Sequence, residues 1–307
     1  MNDIDTENYP QKTMVVDGVL TSILTRAKSN VPSYNFEEPF SHNITSLAKC
    51  LRQRYYAWVG TLPIIHPDEP KSLNEDWKTA GEKVEQDIIE IIKRAGIFRG
   101  AQIRVRQSNP PISGAIDAMI ELDDKLYPVE IKSAKSERYF DTCDLKCPDC
   151  KSSMNSWAKW CKCGYNGRPE SVVKWLGAEH KVSWEYYCQI QMYMYFASNA
   201  QYRHDGQIIV FDQGFMWYKN KNAGEMTIHK VDYDQDCIDW QLNRTRKLME
   251  MIWANQLPDR DYKAMISTKG IESSSKTDWQ CRFCDWKYVC WHDEISSKDP
   301  TFFDFTK

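Results

Sequence analysis

Two apolar runs, Ala115 to Leu122 and Leu126 to Ile131, flank the polar turn Asp123-Asp124-Lys125, and each run carries a carboxylate among its aliphatic residues. Strand-like runs separated by such a turn predict a hairpin. Folded that way, Asp117 faces Glu130 across the strands. A carboxylate buried among Ile116, Met119, Val129 and Ile131 without a partner costs several kcal/mol or takes up a proton, and a hard cation is the simplest partner. Lys132 stands two residues after Glu130, so period-two alternation points both side chains to one face. The Ile131 side chain points away, but its main-chain carbonyl still reaches the ion. Two carboxylates and a lysine on adjoining strands can hold a divalent metal and a water beside a phosphate.

Asp117 followed by Glu130-Ile131-Lys132 resembles the PD-(D/E)XK nuclease signature. An acidic-x-Lys triplet alone is common, and a solvated strand pair with surface charges is its alternative reading. Two further matches extend the resemblance: Gly81-Glu-Lys-Val-Glu85 opens an amphipathic helix upstream, and Tyr187-Cys-Gln189-Ile-Gln-Met-Tyr193 lies on a later helix. RecB-family nucleases place a metal-binding His or Glu four residues after such a glycine and carry a Gln-x-x-x-Tyr helix beside the site. Glu85 stands here where His is frequent, which implies an all-oxygen metal sphere. The resemblance implies that Asp117, Glu130, the Ile131 carbonyl and Glu85 hold one or two Mg2+ or Mn2+ ions. It implies that Lys132 positions or deprotonates the attacking water, and that Gln189 and Tyr193 orient the strand or support the lysine. Plain helix packing is the alternative role of the last two.

Cysteine spacing narrows the branch. Cys281-Arg-Phe-Cys284-Asp-Trp-Lys-Tyr-Val-Cys290 sets three thiols in one compact turn and helix, and Cys50 lies on an early helix within Ser46-Leu-Ala-Lys-Cys50. One cysteine before the nuclease core and three after it is similar to the iron-sulphur branch of the RecB family, which includes CRISPR-adaptation nucleases, the AddB helicase-nuclease subunit and phage exonucleases. There the four thiolates hold a [4Fe-4S] cluster, structural in role because hydrolysis transfers no electrons. Metal-free thiols or a zinc site are the alternatives. Trp279, Phe283, Trp286 and Trp291 surround these ligands and are expected to shield the cluster.

A second group, Cys147-Pro-Asp-Cys150 and Cys161-Lys-Cys163-Gly, has the paired-knuckle form of a zinc ribbon. Its second pair is short by one residue, so Cys143 is an alternative to Cys161, and a redox Cys-x-x-Cys is the alternative to zinc. Trp157, Trp160 and Tyr165 alternate there with Lys151, Lys159, Lys162 and Arg168, a mixture that suits single-stranded DNA or the core of a small module. Cys188 and Cys237 are left to pack as small hydrophobes.

The chain of 307 residues carries 42% hydrophobic residues, enough for one large or two small domains. Most of its 11 cysteines fall in metal spacings with no charged-then-apolar leader before them, which favours a reducing cytoplasm over secretion, and the resemblance implies a prokaryotic or phage-encoded protein. No run approaches the roughly 18 apolar residues of a membrane span. A net charge of −3 argues against indiscriminate coating of nucleic acid but leaves room for a local basic track among Lys49, Arg52, Arg54, Arg104, Arg106, Lys135 and Arg138.

Residues 1–40 read as an N-terminal arm with a short helix near Val15 to Lys28. Helices are expected over Ser41 to Trp58, Leu73 to Ala95, Trp184 to Ala200 and Asp234 to Asn255, and strands near 98–107, 114–122 and 125–132. A hairpin of Ile208 to Phe211 with Phe215 to Tyr218, around Gln213-Gly214, is followed by a strand from Met226 to Val231. Together these predict an α/β fold with a mixed central sheet flanked by helices, similar to the restriction-endonuclease-like core. The nuclease domain spans 41–292, including a zinc-ribbon-like insertion at 143–168, and 293–307 form a C-terminal tail. The resemblance implies a metal-dependent DNA exonuclease, active on single strands or free ends in recombination, replication or adaptation, leaving 5′-phosphate products. A recombinase, integrase or helicase partner would dock on the aromatic tail Asp299-Pro-Thr-Phe-Phe-Asp-Phe305, unless the tail folds back on its own domain. The alternative is a DNA-binding or scaffold subunit with a dormant site.

Overall fold

The structure, a computed structural model, describes residues 41–64, 74–134, 144–154, 160–166, 170–175, 178–198, 203–204, 207–208, 211–220, 224–272 and 277–304. The chain divides into two units, Met1–Pro39 and Phe40–Lys307. The expected helix near Val15 to Lys28 lies outside the described residues, as do Cys143, Lys135, Arg138, Trp157, Lys159 and Arg168.

The elements run β1 His42–Asn43, a 3-10 turn Ile44–Ser46, α1 Leu51–Trp58, α2 Asn74–Arg94, β2 Phe98–Ser108, β3 Pro111–Leu122 and β4 Lys125–Ala134. The insertion contributes β5 Asp144–Lys146, β6 Glu170–Trp175 and β7 Ala178–His180. Then follow α3 Trp184–Phe196, β8 Arg203–His204, β9 Gln207–Ile208, β10 Gln213–Asn220, β11 Met226–Asp232 and α4 Gln235–Trp253. Two short strands, β12 Ile266–Ser267 and β13 Gly270–Ile271, precede α5 Trp279–Arg282, α6 Lys287–Cys290 and α7 His292–Lys298.

The central sheet is mixed. β2, β3 and β4 form an antiparallel meander, β10 joins β4 in parallel, and β11 returns antiparallel along β10. Asp123 and Asp124 both take positive φ, 49° and 59°, which a two-residue primed turn requires and which aspartate tolerates. β2 pairs along nearly the whole of β3, so β1 and β4 share its other edge. β1 pairs with Ile112 and Ser113, and β4 begins only at Ala118. The stretch Gly114 to Asp117 is therefore a fork in the sheet.

Helices cover both faces. Val84, Ile88 and Ile92 of α2 pack on Ala118, Ile120, Val129 and Ile131. On the opposite face, Ile190, Met192 and Met194 of α3 pack with Ile112, Ile116, Met119 and Met216, and α4 closes over α3 through Ile238 and Leu242. Because α3 is enclosed on all sides, Gln189, Gln191 and Tyr193 are as buried as its aliphatic residues.

Three sequence expectations are corrected, and of the two readings of the tail the one that folds it back on its own domain holds. Cys50 is the residue before α1 rather than inside a helix from Ser41, because the segment first forms β1 and the 3-10 turn. Gly81 lies in the middle of α2 instead of opening it. Gln213 opens β10 and pairs across to β11, while Ile208 pairs with Arg203, so no hairpin forms around Gln213-Gly214. The tail is packed: α7 runs from His292, and Phe302 and Phe303 contact Tyr288, with His292 stacked on Phe303. Among the described residues no helix is long and apolar enough to cross a membrane.

Candidate metal and catalytic centres

Asp117 sits in the fork. With β4 out of register at this point, the Asp117 carboxylate takes the place of a strand carbonyl and accepts a hydrogen bond from the Ile131 main-chain N–H at 2.8 Å. Side-chain alternation also slips here. Ile116 packs in the α3-side core and Ala118, two residues on, in the α2-side core. Opposite the slip, Gln102 of β2 holds a left-handed φ of 52°, an uncommon conformation for a residue with a Cβ. Its amide is directed onto Glu85 of α2, to which it donates a hydrogen bond.

Glu130 is fully buried and pairs with Lys132, the next residue on the same face of β4. Oε1 contacts the Lys132 ammonium, and Oε2 has no hydrogen bond of normal geometry among the described residues. Burial, then repulsion from Asp117, push the carboxyl up to about 8 against the pull of Lys132. Burial likewise raises Asp117. Burial, then the Asp117 charge, raise Glu85 as well. For Lys132 burial acts downward, but Glu130 and Asp117 outweigh it and hold the ammonium above its ordinary range.

The Lys132 ammonium meets Glu130 at Oε1 and leaves further lone pairs of the buried carboxylate open. A buried carboxylate with unfilled lone pairs and a second carboxylate beside it has the donor chemistry that Mg2+ or Mn2+ requires. The structure brings Asp117, Glu130 and Lys132 together, with Glu85 and the Ile131 main chain at the border. The three carboxylates do not close to within 4.8 Å of one another, a distance that among the described residues only the insertion cysteines satisfy.

Gln189 donates to the Tyr193 hydroxyl at 2.9 Å, both side chains being buried one helical turn apart. Burial, then Glu130 and Asp117, raise the Tyr193 phenol, so it lies within the field of the carboxylates. Two neighbours escaped the sequence reading. The Lys132 ammonium sits 4.8 Å from the centre of the Tyr186 ring, and Gln102 anchors Glu85. Tyr186, Gln189 and Tyr193 recur at i, i+3 and i+7, a spacing that marks one helical face; Gln102 carried no such signal.

Among the proposed backbone contacts, Arg54 is withdrawn. It is buried and donates to Leu47 O at 3.2 Å and Thr245 Oγ1 at 2.9 Å, tying α1 to α4. Arg52 donates to Pro258 O, whereas Lys49, Arg104 and Arg106 are exposed.

The insertion holds a formed thiol group. Cys147, Cys150, Cys161 and Cys163 have their sulphurs within 4.8 Å of one another and can hold a metal ion. Cys147 and Cys163 lie 3.6 Å apart, and Cys150 and Cys161 lie 3.5 Å apart. Tetrahedral Zn–S bonds of about 2.3 Å separate sulphurs by about 3.8 Å, so the spacing suits a single tetrahedral ion. Two tight turns aim the thiols. In the first, Lys151 N–H bonds Cys147 O at 3.0 Å; in the second, Gly164 N–H bonds Cys161 O at 3.0 Å with Gly164 at φ +98°. The Cys163 main-chain N–H, then the Ser152 hydroxyl, draw the Cys161 thiol down to about 6, which favours the ligating thiolate.

No family model matches the chain. No curated protein matches it. A solved structure described as the crystal structure of SSO0001 aligns over 89% of this chain and 94% of its own, at 14% identity and a TM-score of 0.37. That likeness is too slight to bear on fold or function.

Four further cysteines line one cavity. Cys50 meets Cys281, Cys284 and Cys290 there, with Trp286 and Trp291 in its wall. Burial pushes Cys281 up to about 11 and Cys284 up to about 12. It also raises Cys290, against Arg52 and Arg260. Arg260 lies 3.9 Å from the Trp291 ring and pairs with Glu294. Trp286 donates to Thr61 O at 2.7 Å. Phe283, expected as a shield, is instead 71% exposed.

Proposed function

We propose that the chain is a divalent-metal-dependent deoxyribonuclease of the PD-(D/E)XK type, acting on DNA ends or single strands. The observation that carries this reading is Glu130: a fully buried carboxylate beside Asp117 at a fork in the sheet, with the Lys132 ammonium on Oε1 and lone pairs left open. When bound, a divalent cation polarises the phosphoryl oxygen and lowers the pKa of its water. Glu130 and Asp117 would hold the cation, with Glu85 as a third carboxylate. Lys132, kept protonated by the two carboxylates, screens charge developing on the phosphate and positions the attacking water. Tyr186 and the Gln189–Tyr193 pair fix the lysine and the carboxylates from the α3 side.

The resident metals are assigned on the same footing. The compact insertion quartet suits zinc. The wider quartet around Cys50 suits a [4Fe-4S] cluster, because its thiols share one cavity without the close approach that a single ion imposes.

The test is digestion of end-labelled single- and double-stranded DNA with Mg2+ or Mn2+ by anaerobically purified protein whose iron and zinc have been counted. Asp117→Ala and Lys132→Ala should each lower cleavage by at least about 100-fold, the scale of lost electrostatic and acid–base catalysis. Full activity in either variant would end the assignment. DNA binding without metal-dependent cleavage by the wild type would leave a binding subunit with a dormant site.

A further inference from the structure

Phe283 and Trp160 are the most exposed large apolar side chains among the described residues, at 71% and 70%. Trp160 immediately precedes Cys161. Its backbone is fixed by a bridge to Asn166 on the far side of the knuckle and by the Cys161 N–H to Tyr165 O bond of 3.0 Å. Of the insertion's other aromatics, Tyr165 is half-buried and its carbonyl closes the turn, so it serves the knuckle itself. Trp160 is thus an indole held rigidly on a thiol-anchored turn and left open to solvent. A small module needs aromatics for its core, and this one does not use Trp160 for that purpose.

The surroundings favour an anion that carries flat apolar groups. Residues 143–168 contain five lysines and arginines against two aspartates, in a chain whose net charge is −3. Four thiolates and a dication subtract two charges and leave the segment positive. Lys162 follows Trp160 by two residues and is exposed. Lys151, in the first knuckle, lines a cleft of about 990 Å3 together with His180 and Lys181, and the facing wall carries His229 and Lys230 of β11. Three aspartates line the cleft as well: Asp234 caps α4 and accepts from the Tyr187 hydroxyl, Asp232 pairs with Lys230, and Asp236 stands in the first turn of α4, so the positive charge lies with Lys151, Lys162 and Lys181 on the module's side.

We infer that Trp160 is a stacking platform for unpaired bases, making the thiol module the grip for a single-stranded portion of the substrate. This rests on the reading of the chain as a DNA hydrolase and adds to it the strandedness of the bound region and the surface that selects it. Base stacking on an aromatic face is sequence-tolerant, and basic neighbours track the backbone. An exposed aromatic on a rigid turn gives up little conformational freedom on binding.

The experiment measures affinity of the full chain for a fluorescein-labelled oligo-dT strand and for a blunt duplex, without added divalent cation, with zinc counted in each preparation. Trp160→Leu keeps an apolar side chain without a π face, and Trp160→Phe keeps the face. Trp160→Leu should weaken oligo-dT binding about tenfold, Trp160→Phe by less than about threefold, and duplex binding should stay within about twofold in both. Equal zinc content shows that the module is intact. Should Trp160→Leu bind oligo-dT as tightly as wild type while the wild type still cleaves DNA, this inference falls and the hydrolase reading stands. If the wild type neither binds nor cleaves DNA, both fall together. Equal losses for the Leu and Phe variants would also overturn stacking, since they would trace to packing rather than to the ring face.

Discussion

Glu130 is a fully buried carboxyl on a central strand. With its carboxyl held up to about 8 and an unfolded value near 4.3, the folded chain binds this proton more tightly than the unfolded chain. The associated stability is complete below pH 4.3 and is lost as pH rises through about 8. In metal-free protein the thermal midpoint should therefore fall between pH 5 and 8.5 by more in wild type than in Glu130→Gln, and Mn2+ added at pH 8 should restore it in wild type alone. Superimposable pH profiles would contradict this. At Gly114 the constraint is steric: a Cβ there would lie 2.8 Å from Ile44 Cδ1 and 3.1 Å from Cγ1. Gly114→Ala should cost about 1–3 kcal/mol in denaturant unfolding, with Ile44→Ala in the same chain removing most of the added penalty. By contrast Gly81, whose built Cβ meets Ser133 Oγ at 4.0 Å, is in ordinary contact. At this scale the sequence was readable wherever a charge interrupted an apolar strand, as at Asp117 and Glu130. It was silent on Gln102 and Arg54, whose roles depend on a backbone twist and on a helix 191 residues away at Thr245.

Among the elements, local periodicity predicted α2, the three strands of the meander, α3 and α4 to within a few residues. Those segments repeat apolar residues at their own period, and neighbours in sequence are neighbours in space. Prediction failed where pairing is distant. β10 lies in parallel on β4, so its register is set by residues more than 80 positions earlier and no local turn announces it. Cys50 misled for a related reason, since the segment before α1 is shaped by β1 joining β3. The inserted module is an element with its own anchor. Cys161→Ser should reduce bound zinc to about zero while leaving iron content unchanged, because the two quartets share no residue. Elemental analysis of the purified variant checks this, and parallel loss of both metals would show that the centres are not separate.

For the molecule as a whole, the cavity around Cys50 joins the start of the described fold to its end. α1 is also tied to later segments by Leu51 N–H to Asp261 at 2.7 Å and by Arg52 to Pro258 O at 2.7 Å. A cluster on Cys50, Cys281, Cys284 and Cys290 would close nearly the whole sheet into one loop, a constraint worth roughly 3–5 kcal/mol by loop entropy. Cys50→Ser should accordingly lose most of its iron and unfold at a lower temperature, whereas Cys188→Ser, in a buried pair away from that cavity, should keep its iron. The spacing that pointed to the cluster was legible because ligands must be cysteines. The openness of Phe283 was not, because an aromatic beside a ligand reads equally as shield or as surface. The most direct measurement of the central claim is the Mn2+-dependent cleavage rate of end-labelled single-stranded DNA by wild type and by Glu130→Gln, matched for iron and zinc. The account predicts cleavage by the wild type and at least about a 100-fold loss in the variant; equal rates, or a wild type inert with both Mn2+ and Mg2+, would contradict it.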